Sequence, residues 1–445
     1  MRVLFIHQNF PGQYLHLAKR LKDEGHAVVG VGEAKNIRNR GVIDGITTIG
    51  YPTPEGAGEK THHYLKSTEA AVRRGQAAAR SLLELKGKGF IPDVISVHPG
   101  WGEGLFVRDV FPDVPVLMFC EYYFRAQEAD LAFDPEYPHS PDWDYSVRIR
   151  NTPQIMSLIA ANAYIAPTRW QASRYPAFLR ERMHIIHDGV NTGFMCPDPA
   201  ETLTIQPLTE PGESRVQGAP PAPGAGGEQK FPEIPAGEPL TFTKDSKVIT
   251  FIARNLEPYR GFHVFLRALP EILRRHPDAH VLIVGNDGTS YSPPLPCGET
   301  YKARYLAEMR DRLDLSRMHF LGRIPYQSLR AMFRVSSAHV YLTYPFVLSW
   351  SVLEAMACEC LIVASDTEPV REVMTDNENA LLVDFFDGAA LADRLDRALA
   401  KPESCAGLRK AARSRVLGSF ELGPCLAAQT ALLESMAAGR CPMPV

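Results

Sequence analysis

Two arginines, Arg254 and Arg260, stand around the turn between an apolar run and a helical repeat, so both guanidiniums lie beside a helix N-terminus. Such a pair clamps two phosphates through charge-assisted hydrogen bonds. A second feature of the same kind lies at 341–365: an apolar strand, a short loop at 346–351, a helix carrying one acid, Glu354, and another strand. A loop that opens a helix at the carboxyl end of a strand presents unpaired backbone N–H groups to an anion, and Glu354 is placed to accept from a ribose diol. Taken singly, either arginine also fits a surface ion pair. The two features together suit a nucleoside diphosphate.

These groups need strand ends to hold them. A continuous apolar strand at 2–7 is followed by a turn, a helix whose Tyr14, Leu17, Ala18 and Leu21 recur at helical spacing until Gly25, and a second strand at 26–31. This βαβ start predicts a parallel sheet covered on both faces. Further strands are expected at 94–97, 116–119, 164–166 and 184–187, with a long helix at 64–85. Between 198 and 245 Pro, Gly, Glu and Thr dominate, which predicts a flexible linker or insertion. The pattern restarts with strands at 248–253, 279–284, 318–321 and 338–342, and helices from 261, at 301–313 and at 327–334. The expected organisation is an N-terminal Rossmann-like domain at 1–197, the linker or insertion at 198–245, a second Rossmann-like domain at 246–418, and a C-terminal helix within 419–445. Two doubly wound α/β units joined in this way face each other across a cleft at the carboxyl ends of their strands.

Length and composition agree with that frame. The 445 residues exceed one ordinary domain, and 45% apolar with 22% charged residues are globular values. A net charge of -3 gives no overall attraction to nucleic acid. The eight cysteines are dispersed, Cys358 and Cys360 are too close in sequence for a zinc pair, and no metal-ligand cluster is evident. No stretch approaches the length of a membrane span, so a cytoplasmic place is expected, neither exported nor membrane-spanning. Arg73, Arg74, Arg80, Lys86 and Lys88 decorate the long first helix. Their neighbours are mostly alanine, which favours a solvated face; peripheral contact with the inner face of a membrane is the other reading.

The chain resembles the retaining family 4 glycosyltransferases of the GT-B architecture. The motifs are Ala253-Arg-Asn-Leu-Glu-Pro-Tyr-Arg-Gly-Phe262, Val284-Gly-Asn-Asp-Gly288, Phe320-Leu-Gly-Arg-Ile-Pro325, Val352-Leu-Glu-Ala-Met-Ala357 and Ser365-Asp-Thr-Glu-Pro-Val-Arg-Glu372. Phe10-Pro-Gly-Gln13, His98-Pro-Gly-Trp-Gly-Glu103, Ala166-Pro-Thr-Arg-Trp170 and His187-Asp-Gly-Val-Asn191 are similar to one bacterial branch of that family, linked by association to surface polysaccharide or glycolipid assembly.

The resemblance implies an acceptor-side first domain, a nucleotide-sugar-binding second domain and a tail helix that packs back on the first, and it implies roles position by position. Arg254 and Arg260 match the basic pair on the donor diphosphate, the second more usually a lysine. Glu354 matches the second glutamate of the Glu-x7-Glu pattern, which holds the nucleotide ribose. The first falls on Phe346, whose ring cannot accept a hydrogen bond from a sugar hydroxyl, so the sugar is held differently or the activity is altered. Backbone amides at Val347, Leu348 and Ser349 are implied sugar contacts, with Glu372 and Asp366 weaker donor-side candidates. Gly12 matches a glycine loop that lets donor and acceptor approach the backbone. His98 or Glu121 is implied to contact the transferring sugar, although a capped strand end and a surface acid explain them too. Trp101 and Glu103 are acceptor-side candidates, or parts of a structural loop. The implied reaction moves a sugar from a UDP or GDP sugar to a hydroxyl of a saccharide or lipid-linked acceptor, with retention and without metal or other cofactor.

Other readings stay open. A dinucleotide-dependent oxidoreductase lacks support because the first turn has no Gly-x-Gly-x-x-Gly. A nucleotide-sugar epimerase or a phosphorylase shares the architecture, and Phe346 favours a degenerate sugar-nucleotide-binding protein.

Overall fold

The apolar runs build two separate parallel sheets in a computed structural model, which describes residues 1–138, 140–218, 236–440 and 443. One unit comprises Met1–Gly189 with Leu422–Val445, and the other Val190–Glu421.

In the first unit the strands are β1 (Arg2–Ile6), β2 (Ala27–Glu33), β3 (Thr47–Tyr51), β4 (Val94–Val97), β5 (Val116–Phe119), β6 (Ala163–Ala166) and β7 (Met183–Ile185). Their order is β3-β2-β1-β4-β5-β6-β7, parallel throughout. Alternate residues of β1 feed opposite cores. Leu4 and Ile6 pack with Ile95, Met118 and Leu82, while Val3 and Phe5 pack with Leu117, Leu17 and Leu21. The second face also takes Leu426, Leu433 and Met436 of the C-terminal helix Leu422–Ala437. Because the chain leaves β1 toward β2 and returns to β4 on the other side, the loops after β1 and β4 diverge and leave a crevice. β3 was not expected from the sequence, because Thr-Thr-Ile-Gly-Tyr is an edge strand that is mostly half-exposed. The helix Lys66–Gly87 uses three of its cations internally: Arg73 pairs with Glu69, Arg74 donates to the Trp101 carbonyl, and Lys86 donates to the Val110 carbonyl. No helix among the described residues is long and apolar enough to cross a membrane.

The stretch expected to be a flexible linker or insertion holds regular structure in its described parts. Its described parts contain β8 (Leu203–Pro207), β9 (Ser214–Val216) and β10 (Leu240–Phe242), an antiparallel sheet in the order β10-β8-β9. Leu203, Ile205 and Phe242 are buried against Val248, Leu282 and Met332, so a few well-spaced apolar residues suffice despite the Pro- and Gly-rich composition. The richest part of that stretch, 219–235, lies outside the described residues. Val190 and Met195, assigned above to the first domain, pack in the second unit, where the Val190 amide donates to the Phe420 carbonyl.

The second unit holds β11 (Val248–Asn255), β12 (His280–Asn286), β13 (Met318–Phe320), β14 (Ala338–Tyr341), β15 (Ile362–Ser365) and β16 (Leu381–Val383), in the order β13-β12-β11-β14-β15-β16. β11 is the switch point, with β12 on one side and β14 on the other. The helix Phe262–Arg275 buries Phe262, Phe265, Leu266, Leu269 and Leu273, each contributing about 1.5–3 kcal/mol by removal from water. Its entry requires Gly261, with φ at +68° and a hypothetical Cβ only 2.3 Å from the Leu342 side chain.

Candidate functional site

β11 delivers the chain to a turn at 257–260 that reaches both neighbouring loops. On one side, the partly buried Arg260 guanidinium donates to the Tyr341 hydroxyl at 2.9 Å, the Thr343 hydroxyl at 2.7 Å and the Val347 carbonyl at 3.0 Å. All three acceptors are uncharged, and no carboxylate pairs with Arg260 among the described residues. Aromatic rings surround it, with Phe346, Tyr341 and Tyr291 centroids at 5.7, 5.8 and 6.0 Å. On the other side, the buried Glu257 carboxylate accepts from backbone amides of Ser290, Tyr291 and Ser292. Arg254 is exposed at the end of β11 and makes no side-chain hydrogen bond among the described residues.

The loop after β14 shows what occupies the expected amides. The Ser349 N–H donates to the Tyr341 hydroxyl at 2.8 Å, the Val347 carbonyl is taken by Arg260, and the Leu348 side chain is buried. The Ser349 hydroxyl caps the helix Trp350–Ala357 by accepting from the Ser351 amide. Phe346 is buried in an aromatic group, 4.7 Å from Tyr291 and edge-on to Tyr259 at 5.7 Å, with Tyr259 4.7 Å from Tyr344. Glu354, on that helix, accepts from the Tyr326 hydroxyl at 2.7 Å. Burial holds its carboxyl above the usual carboxylate range, and burial beside it likewise pushes the Tyr326 phenol up. The Tyr326 ring stacks on Phe194 at 5.1 Å. Asp366 is paired with Arg371 at 2.6 Å, and Glu372 follows the short helix Glu368–Arg371, its carbonyl accepting from Arg415.

In the first unit, side chains from the loops after β1, β4 and β5 meet at the crevice. The His98 Nδ1 accepts from the Gly100 amide, which places the proton of the neutral ring on Nε2, 3.1 Å from Glu121 Oε2. Glu121 Oε1 accepts from Gln13 Nε2 at 3.0 Å, and the Glu121 carbonyl from Gln171 at 2.7 Å. His98 is buried and stacked on Trp101, with centroids 4.4 Å apart. Gly12 takes φ +48°, and a hypothetical Cβ would lie 2.7 Å from the His7 ring, so His7 itself demands the glycine. Glu103 differs from the expectation of acceptor contact. Its side chain is fully buried, accepts from the Tyr51 hydroxyl at 2.5 Å and lies 4.0 Å from Arg74; burial raises its carboxyl. It ties the loop to β3 and the long helix.

The structure therefore joins Arg260, Phe346, Val347 and Ser349 in one unit, and Gln13, His98, Trp101 and Glu121 in the other. Sequence reasoning missed Glu257, Tyr291, Tyr341 and Gln13. Gln13 lay inside a quoted motif, and Glu257 lay between the two arginines. Among the described residues, no group of three or more His, Cys, Asp or Glu side chains is placed to hold a metal ion.

Comparison with known proteins finds matches over both units. Residues 24–195 match the glycosyl transferase family 4 group and residues 237–415 the glycosyl transferases group 1. A phosphatidyl-myo-inositol mannosyltransferase of Mycolicibacterium smegmatis is 29% identical over 181 residues, covering 39% of this chain and 42% of that protein. A D-inositol 3-phosphate glycosyltransferase of Corynebacterium jeikeium is 31% identical over 153 residues, 34% of this chain and 35% of that one. The chain thus spans less than half the length of these curated relatives. Sucrose-phosphate synthase from Thermosynechococcus elongatus shares the fold with a TM-score of 0.70 at 16% identity, covering 99% of this chain and 100% of its own. Anabaena HepE, in complex with UDP and glucose, gives 0.62 at 14% identity, covering 98% and 100%.

Proposed function

For a chain that belongs to the family 4 glycosyltransferases, with two doubly wound units of the GT-B class, we propose transfer of a sugar from a nucleotide-diphosphate sugar to a hydroxyl of a saccharide or lipid-linked acceptor, with retention of configuration. The observation that carries this reading is Arg260. A guanidinium held by neutral oxygens inside an aromatic surround keeps its full charge for an anion, and its fork suits a phosphate.

In this reading Arg260 and Arg254, with the N-terminus of the helix Trp350–Ala357, stabilise the charge that grows on the leaving diphosphate. They supply what a divalent cation otherwise would, and a metal-independent reaction follows. Glu354 accepts from the ribose diol through Oε2 while Tyr326 holds Oε1. The leaving phosphate oxygen takes the acceptor proton on the face where the new bond forms, so the anomeric configuration is kept. Within the first unit, Gln13 and His98 fix both Glu121 oxygens, which suits that carboxylate to a sugar hydroxyl, and the Trp101 ring suits a saccharide face. HepE holds UDP and glucose, and the mannosyltransferase relatives are named for an inositol lipid, which supports a UDP or GDP donor and a polar lipid or sugar acceptor in glycolipid or polysaccharide assembly at the cytoplasmic side.

The test is to incubate the protein, with chelator, with UDP and GDP conjugates of glucose, mannose and N-acetylglucosamine and simple glycoside acceptors, following the anomeric proton by NMR. An α product from an α-linked donor is expected. A β product contradicts retention, and conversion of a donor without acceptor indicates an epimerase. Phe346, buried where the family carries a sugar-binding glutamate, favours the second reading, a binding protein without turnover, which would show nucleotide binding and no product.

A further inference from the structure

The turn between Arg254 and Arg260 carries a second charged side chain that the reaction above does not use. Glu257 is 1% exposed, and its carboxylate collects four backbone N–H contacts: Ser290 to both oxygens at 3.1 and 3.2 Å, Tyr291 at 3.1 Å and Ser292 at 2.8 Å. No cation pairs with it among the described residues. An uncompensated buried carboxylate costs several kcal/mol, so these amides are what makes its burial tolerable. Asn255 adds a contact to the Ser290 hydroxyl at 2.6 Å. Residues 287–290 are otherwise exposed.

Sheet order explains the geometry. β11 lies between β12 and β14, so the turn at its end touches the loop after β12 through Glu257 and the loop after β14 through Arg260. Tyr291, on the clamped loop, completes the aromatic surround, 4.7 Å from Phe346 and 5.5 Å from Tyr259, with Arg260 6.0 Å from its ring. Apolar walls beside a guanidinium strengthen its attraction for an anion by excluding water.

We propose that Glu257 is a positioning residue: by binding the amides of 290–292 it fixes Tyr291 as one wall of the pocket in which Arg260 meets the donor diphosphate. The inference rests on the reading of Arg260 as the diphosphate ligand. Glu257 touches no substrate; it sets the wall and thereby the affinity. A glutamine at 257 can keep an oxygen where the three amides meet, but it removes the negative charge that strengthens those bonds and turns an N–H₂ toward the Ser290 amide, so the hold on the loop weakens without loss of side-chain volume.

The experiment is calorimetric titration of UDP and of GDP into wild type, Glu257→Gln, Tyr291→Ala, Tyr291→Phe and the Glu257→Gln/Tyr291→Ala double variant, with amide hydrogen exchange across 287–292. Expected are about tenfold weaker binding in each of the first two variants, no further loss in the double variant, more affinity kept by Tyr291→Phe than by Tyr291→Ala, and faster exchange of the 290–292 amides in Glu257→Gln. Wild-type affinity in Glu257→Gln overturns the positioning role and leaves the diphosphate reading standing. Additive losses overturn it as well, because the two residues would then act separately. If Glu257→Gln fails to fold, Tyr291→Ala decides, and unchanged affinity there overturns the proposal. If wild type binds neither nucleotide, the diphosphate reading falls and the positioning role with it.

Discussion

The two polar clusters sit at equivalent places, at the carboxyl ends of central strands in two parallel sheets, yet their charges are settled in opposite ways. After β4 and β5, Glu121 is held by an imidazole N–H and by Gln13, and the ring stacks on Trp101. These two hydrogen bonds fix a direction for the carboxylate. After β11 and β14, the fixed charge is a guanidinium whose three acceptors are neutral. The first arrangement orients a carboxylate; the second holds a cation with no carboxylate partner among the described residues. Like topology makes the crevice, and the partner chemistry decides what enters it.

Altering the charged group of each cluster should separate the two roles. The largest effect is expected from Glu121→Gln, which should lower the transfer rate about a hundredfold, as loss of a preorganised transition-state contact does, with nucleotide affinity unchanged; steady-state kinetics beside calorimetry reads both, and a parallel fall in affinity breaks the division. Arg260→Lys keeps the charge but not the fork to Tyr341, Thr343 and Val347, and should weaken nucleotide binding about tenfold, near the 1.5 kcal/mol of one charge-assisted hydrogen bond. Glu354→Gln should cost about fivefold for UDP or GDP and nothing for inorganic pyrophosphate, which lacks the ribose. An equal loss for pyrophosphate would remove Glu354 from the ribose.

The smallest effect is in pH. The Glu354 carboxyl is raised by burial, so its ionised form is the costly one: folding stability falls as pH rises through the raised pKa, and is regained below the unfolded value. Ribose binding uses the ionised form, so nucleotide affinity should weaken as pH falls through that same raised value. Tyr326→Phe removes a hydrogen bond that favours ionisation and should move the affinity midpoint upward. Glu354→Gln should flatten both profiles, and a profile indifferent to both variants would contradict the assignment.

Much of this was legible in the residues because it depends on local pattern. His98 sits just beyond an apolar run, which specifies a strand and therefore its end, while Arg260 and Glu354 follow from the turn and the helix that come after such runs. Glu257 was not legible, since its meaning lies in amides at 290–292 that only the order β12-β11-β14 brings near. The antiparallel strands β8–β10 were hidden by their Pro- and Gly-rich surroundings, although Leu203, Ile205 and Phe242 do the packing. For Glu103 the residues alone allow acceptor contact and a loop role equally; the Tyr51 hydroxyl that it accepts from belongs to β3, an edge strand too polar to be foreseen. Phe346 read as a missing acid, whereas the fold uses it as one ring of a group around Arg260.

The central claim is that the neutral-held guanidinium of the second unit receives a nucleoside diphosphate. Calorimetric titration of UDP and of GDP into wild type and Arg260→Ala, with chelator present, tests it most directly. Micromolar binding of one nucleotide by wild type and a loss of about a hundredfold in the variant, near the upper 3 kcal/mol for a hydrogen bond to a charged group, is the predicted result. Equal binding by both proteins, or binding by neither, would contradict it.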